Sequence, residues 1–251
     1  MLTQTDIHRF LSDNGIKPTD TVLVHTSFRS LGGVEGGCDG FIDAMCEYLS
    51  EGLFLVPAHT WANVTEHAPV FDVRRTPACI GALPNAAIKR ADGVRSLHPT
   101  HSLVAFGTRA GEFVKGEERA TSPCPVGFAW SRLYDEGAKI LLIGVGLNRN
   151  TYIHAIDERI GLEGRLAEPV TLYVDDYDGV RHTLSFSKHS EDTGSENFGV
   201  FERDLVESGA MHYDTLGDAR VGIFDAVGGT ELIIKLWENA DHDLTRDPVF
   251  A

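Results

Sequence analysis

His154 is the residue in this sequence best placed for acid–base chemistry. It lies in the run Thr151–Tyr152–Ile153–His154–Ala155–Ile156–Asp157–Glu158, where Thr151 reads as a helix cap. In the first turn of such a helix a histidine sits at the positive end of the macrodipole. That position favours the neutral imidazole, the form that accepts a proton. Asp157 and Glu158 follow three and four residues later and so share a face with His154. A carboxylate there can orient the ring and stabilise the imidazolium it becomes. A helix-surface histidine with charged neighbours has the same spacing, so the pattern alone leaves both readings open.

Two further segments carry polar groups at suggestive spacing. In Arg95–Ser96–Leu97–His98–Pro99–Thr100–His101–Ser102 the histidines lie three apart, as metal ligands can. Pro99 disfavours a helical conformation at His98, and no carboxylate follows at a ligand spacing, so no metal is expected. A rigid loop offering Arg95, Ser96 and Ser102 to a phosphate or amide chain fits better. Arg74, Arg75, Lys89 and Arg90 make this the most basic stretch of the chain. They are suited to phosphates, or else they form a solvated face. In Val24–His25–Thr26–Ser27–Phe28–Arg29–Ser30–Leu31–Gly32 a strand runs into a turn dense with hydroxyls and backbone N–H groups. Such a turn suits an anion or a carbonyl oxygen, although an ordinary polar loop reads the same way. Neither a Walker sequence nor G-x-G-x-x-G is present.

These segments need a scaffold, and the hydrophobic pattern supplies one. Thr3 with Asp6 caps a helix bearing Ile7, Phe10 and Leu11, stopped by Gly15. Thr21–His25, Leu53–Ala58, Leu103–Gly107 and Lys139–Gly146 read as buried strands. Helices are expected near 38–49, 85–90 and from Tyr152. Later, 171–177 and 180–186 flank Asp178–Gly179, a hairpin signal. A helix near 197–208, a short strand at 221–224 and a closing helix at 230–239 complete the pattern. Strand–helix alternation followed by a hairpin implies an α/β fold: a mixed sheet with flanking helices and a late antiparallel hairpin, in one domain spanning 1–251.

Composition narrows the function classes. The 251 residues are 42% hydrophobic with a net charge of −15, which argues against a nucleic-acid face. An acidic field is compatible with a small cationic substrate, and equally with mere solubility. No apolar run reaches the roughly 20 residues of a membrane span, and the polar start carries no secretory segment, so a cytoplasmic protein is expected. Cys38, Cys46, Cys79 and Cys124 show no C-x-x-C spacing and read as reduced thiols.

Taken together, the motifs resemble those of the aminoglycoside 3-N-acetyltransferase (antibiotic acetyltransferase) family. VHTSFRSLG is similar to its V-H-[ST]-S-x-x-[RS]-[LI]-G turn. GVRSLHPTHS is similar to its R-S-x-H-P-x-H-S element, SPCPVGFAWSRLYDEGAKILLIGVG to its long S-P…L-L-[LI]-G-V run, and TYIHAID to its T-x-x-H-x-x-[ED] helix. The resemblance implies an antibiotic acetyltransferase-type fold, distinct from the histone-type N-acetyltransferase fold. It implies acetyl-CoA as co-substrate, no metal, and direct acetyl transfer to the 3-amino group of an aminoglycoside-like acceptor, with transfer to another small amine or a non-catalytic acetyl-CoA-binding module as the alternatives. His154 would be the general base and Asp157 its partner, in a position where many relatives carry Glu. Thr26, Ser27, Ser30, Leu31, Arg95, Ser96 and Ser102 would hold coenzyme A, and Asp72 and Glu158 would meet the acceptor's ammonium groups. Glu191, Asp192 and Glu196 are further acidic candidates on charge alone. The expected partner is a small cationic amine; whether the chain pairs as a homodimer stays open.

Overall fold

The computed structural model describes residues 1–248, so the last three residues of the expected 1–251 domain lie outside the described residues. Helix α1, Gln4–Asp13, begins with a reciprocal cap: the Asp6 N–H donates to Thr3 Oγ1, and the Thr3 N–H donates to the Asp6 carboxylate. There follow β1 (Thr21–Thr26), α2 (Gly37–Tyr48), β2 (Leu53–Pro57), β3 (Val70–Asp72), α3 (Ala82–Ala87), β4 (Val94–Arg95), β5 (Leu103–Phe106) and α4 (Ala110–Phe113). The chain continues through α5 (Ala129–Asp135), β6 (Lys139–Ile143), α6 (Tyr152–Ile160), β7 (Leu166–Asp175), β8 (Arg181–His189), α7 (Glu202–Glu207), β9 (Met211–Leu216), β10 (Ala219–Asp225) and α8 (Ala226–Glu238).

Seven strands form one sheet in the order β4-β5-β2-β1-β6-β10-β9. Its centre is parallel, with Val22 opposite Phe54 on one side of β1 and Val24 opposite Leu141 on the other. β5 and β10 add to this centre antiparallel. The central strands are buried along almost their whole length, as Val- and Leu-rich runs require when helices cover both faces. Alternate residues divide the core. Val22, Val24, Phe54 and Val56 pack with α1 and α2, whereas Leu23, Leu53, Leu55 and Leu142 pack with α5, α6 and α8. A second sheet, β3-β7-β8, closes its own small core of Phe71, Leu172, Val174 and Phe186.

Four departures from the sequence pattern bear on the site. Strand β6 stops at Ile143 rather than Gly146, because Gly144 turns with φ +62 against the turn after β1. A Cβ at 144 would meet Ser30 Oγ at 1.9 Å. The hairpin turn is wider than Asp178–Gly179. The Asp176 carboxylate accepts the N–H groups of Asp178 and Val180 at 2.9 Å, and only Gly179 has positive φ. The expected helix at 197–208 is split into a 3₁₀ turn, Ser195–Phe201, and α7. Finally, β3, β4 and β9 are additions to the expected strands. Phe186 is fully buried and carries β8 towards the site. Phe186→Ala is therefore expected to cost about 3–5 kcal/mol, read as a lowered urea midpoint with an unchanged slope.

Candidate active site

A cavity of about 670 Å³ opens where β2, β1 and β6 end. The carboxyl ends of parallel strands, at the point where strand order reverses, are where open α/β sheets gather ligands. The end of β1 supplies His25 and Thr26 to its wall, followed by Ser27, and the loop after β2 supplies His59 and Trp61. Asn148 to Thr151 follow from β6, and His154 from α6. The opposite wall is Lys188, His189 and Ser190 at the end of β8, with Glu196 and Phe198 of the 3₁₀ turn.

His154 is 8% exposed. Its Nδ1 is buried and faces Asp157 Oδ2 at 3.9 Å, which leaves Nε2 as the nitrogen that meets the cavity. Burial first, then the neighbouring His189, Arg165 and His59, hold its pKa well below 6.5. The ring is neutral at neutral pH, as a general base must be. The cause is burial more than the helix dipole. Thr151, expected as the cap, has helical dihedrals and no capping bond; its hydroxyl hydrogen-bonds with His59 Nε2 at 3.0 Å instead. Asp157 is 1% exposed, and burial pushes its carboxyl up to about 7 against the opposing charge of Arg165. Neither of its oxygens has a hydrogen-bond partner.

His154 ends a chain of packed imidazoles. Its ring lies 4.0 Å from that of His189, His189 lies 5.0 Å from His101, and His101 lies 4.7 Å from His59. His25 and His59 both stack on Trp130. His98, beside His101, has a tautomer fixed by its bonds: Nδ1 accepts from the N–H groups of Thr100 and His101, so Nε2–H donates to the Ser122 carbonyl. The rings meet through faces and edges, and among the described residues no three His, Cys, Asp or Glu side chains converge as a metal site would need. Sequence reasoning missed His59 and His189, which stand in no recognisable motif; the only signal was eleven histidines in one chain.

The structure brings together Thr26, Ser27 and His154 of the expected site, with Asp157 directly behind. It places the others elsewhere. Ser30 donates to the Ser27 carbonyl at 2.7 Å, and Leu31 packs in the core, so neither side chain lines the cavity. Arg95 is 3% exposed, with its guanidinium donating to the carbonyls of Val73 and Thr76 and to Ser102 Oγ. Ser102 donates to the Ala58 carbonyl, and Ser96 accepts the Leu103 N–H. All three are occupied in bracing the 96–102 loop. Asp72 closes a turn by accepting the N–H groups of Arg74 and Arg75. Glu158 accepts from Ser122 Oγ and the Cys124 N–H, fixing that loop. Arg90 is neutralised by Asp43 and Asp92. Of the acids named on charge alone, Glu196 reaches the cavity wall. The Cys124 thiol is buried and pushed well above its ordinary pKa, so it stays protonated.

Comparison with known proteins identifies the fold and the family. A family model described as aminoglycoside 3-N-acetyltransferase matches residues 23–238. The chain is 25% identical over 256 residues to aminoglycoside N(3)-acetyltransferase IX of Micromonospora chalcea, covering 90% of this chain and 89% of the relative. Among solved structures it is similar to aminoglycoside acetyltransferase AAC(3)-Xa, at a TM-score of 0.79 and 26% identity, over 98% of this chain and 95% of that one. The fold is also that of AAC-IIIb in a binary complex with CoASH, at a TM-score of 0.81 and 21% identity, over 94% and 96% of the two chains.

The buried imidazoles couple stability to pH. Burial lowers His25 to about 3 and His98 and His189 to about 4, and lowers His59, His101 and His154 well below 6.5. Below pH 6.5 the unfolded chain binds protons that the fold excludes, so this stability is complete above that pH and is lost as pH falls. Asp157 and Glu117, both raised to about 7, and Glu158, also raised, act in the opposite sense, but the imidazoles outnumber them. The melting temperature is expected to drop steadily from pH 7 to pH 5, with net proton uptake on unfolding measured by calorimetry in buffers of different ionisation enthalpy.

Proposed function

We propose that this chain, which belongs to the aminoglycoside 3-N-acetyltransferase family, transfers the acetyl group of acetyl-CoA to the 3-amino group of an aminoglycoside, with His154 as general base. The observation that carries the assignment of the base is one neutral imidazole whose Nε2 opens into the cavity while Nδ1 faces a buried carboxylate. The acceptor amine attacks the thioester carbonyl, forming C–N, and its proton passes to His154 Nε2. The C–S bond then breaks, and the leaving thiolate takes the proton back from the imidazolium. Thr26 and Ser27, which line the cavity at the end of β1, are suited to the thioester end of coenzyme A. No acyl-enzyme is needed, which fits a Cys124 thiol held protonated. A cytoplasmic site of action belongs to the same reading, since acetyl-CoA is found there.

The cavity wall favours a second reading of the acceptor. Among the described residues its charged side chains are Arg149, Lys188 and Glu196, two cations and one anion. A polycation calls for more carboxylates than that, so an amine carrying fewer ammonium groups fits the same catalytic centre.

Thiol release from acetyl-CoA, followed with a thiol-reactive dye, tests both. With gentamicin-, kanamycin- and apramycin-type acceptors, release is expected to depend on acceptor, and His154→Ala to lower kcat by on the order of 10²–10⁴. Release with none of these acceptors, but with a monoamine, selects the second reading. Unchanged turnover in His154→Ala removes the base.

A further inference from the structure

We infer that Arg165 is a positioning residue for the acid–base pair: its guanidinium favours the ionised form of the Asp157 carboxylate behind His154, and Asp243 and Thr245 hold that guanidinium in place. The inference rests on reading His154 as the base.

Arg165 stands between α6 and β7 and is 2% exposed. An arginine is so fully buried only when something inside the fold engages its charge. Its Nη2 donates to Asp243 Oδ1 at 3.0 Å and to Thr245 Oγ1 at 2.8 Å, and its Cζ lies over the Trp237 ring, 5.6 Å from the centroid. Its Nε and Nη1 have no hydrogen-bond partner, and the same is true of both Asp157 oxygens and of His154 Nδ1. Three of these orphaned atoms face one another. Arg165 Nε lies 3.9 Å from Asp157 Oδ2, and the same oxygen lies 3.9 Å from His154 Nδ1. A movement of about 1 Å brings both pairs into hydrogen-bond range, and catalytic bonds often tighten only around substrate.

The chemistry needs this cation. A carboxyl buried in apolar surroundings tends to hold its proton, and a protonated acid cannot stabilise an imidazolium. The groups facing Asp157 are His154 and Glu158 on its own helix, Arg165 before β7, and Asp243 of the C-terminal segment; His189 of β8 lies beyond the His154 ring. Of these, Arg165 alone is a cation while His154 is neutral. Asp243 would oppose ionisation, but its charge is engaged by Arg165 and by the N–H groups of Thr245 and Arg246.

The test is the pH dependence of kcat in Arg165→Met, which keeps the volume and removes the charge, beside Arg165→Lys, which keeps the charge. Arg165→Met is expected to lose roughly tenfold in kcat at pH 7, with its acid limb moved alkaline by about one unit or more. KM for acetyl-CoA should stay within about twofold, and Arg165→Lys should recover most of the loss. An acid limb that stays in place in Arg165→Met, whatever happens to kcat, overturns the inference. If Arg165→Met does not fold, Arg165→Gln removes the charge while keeping a donor for Asp243. It is expected to move the limb in the same direction, and an unmoved limb there also overturns the role. The carboxyl stretch of Asp157, identified by difference infrared spectroscopy against Asp157→Asn, reports its ionisation without any acceptor. An Asp157 that titrates alike in wild type and in Arg165→Met or Arg165→Gln defeats the role of Arg165 even if acetyl transfer stands. If no amine is turned over, acetyl transfer fails as the function, and the Asp157 titration still decides for or against Arg165.

Discussion

An imidazole that must accept a proton has to be neutral before the reaction and tolerated as a cation during it. In the reaction proposed above His154 is that imidazole, and its surroundings suit both demands. Neutrality comes from withdrawing His154 from water and surrounding it with other uncharged rings. Tolerance of the cation requires a negative charge in the same dry interior, where a lone carboxylate is unstable. On the role inferred for Arg165, Asp157 is helped to meet the second need by the guanidinium that lies 3.9 Å beyond it. Once the ring is protonated, the order imidazolium, carboxylate, guanidinium alternates sign outward from the cavity.

The two sheets divide this work. The parallel centre of the large sheet ends abruptly at the cavity, because Gly144 folds the chain after β6 tightly against the turn after β1. That contact fixes Thr26 and Ser27 relative to α6. The small sheet brings the facing wall from the other end of the sequence. It is tied down by contacts of buried arginines: Arg95 against its Phe71 ring and, through its backbone, with the Tyr177 hydroxyl, and Arg165 on the C-terminal segment. The residues whose motif suggested a ligand, Arg95, Ser96 and Ser102, serve this joinery.

Much of the framework is legible in the sequence, for local reasons. The cap Thr3–Asp6, the stop at Gly15, the buried run Lys139–Ile143 and the helix from Tyr152 are each specified by neighbours in the chain. His154 and Asp157 are legible because one helical turn joins them. What escapes is whatever depends on partners far away. β3 is three residues that exist as a strand only beside β7, about a hundred positions later. Arg95 reads as a ligand-binding charge because nothing local says that backbone carbonyls and the Ser102 hydroxyl will enclose it. His189 carries no motif, and its closeness to His154 is created by the hairpin reaching across the cavity.

That hairpin has a consequence for how such proteins diversify. One wall of the cavity is assembled from the ends of three strands and several loops, scattered between Val24 and His154. The other is a single uninterrupted stretch, from the end of β8 through Phe198. A surface drawn from scattered positions changes only one residue at a time, under the veto of a shared core. A surface encoded contiguously can be exchanged whole in one recombination event, provided that Arg165 and its anchor are kept. The contiguous wall can therefore be altered without disturbing the packing that holds the scattered one.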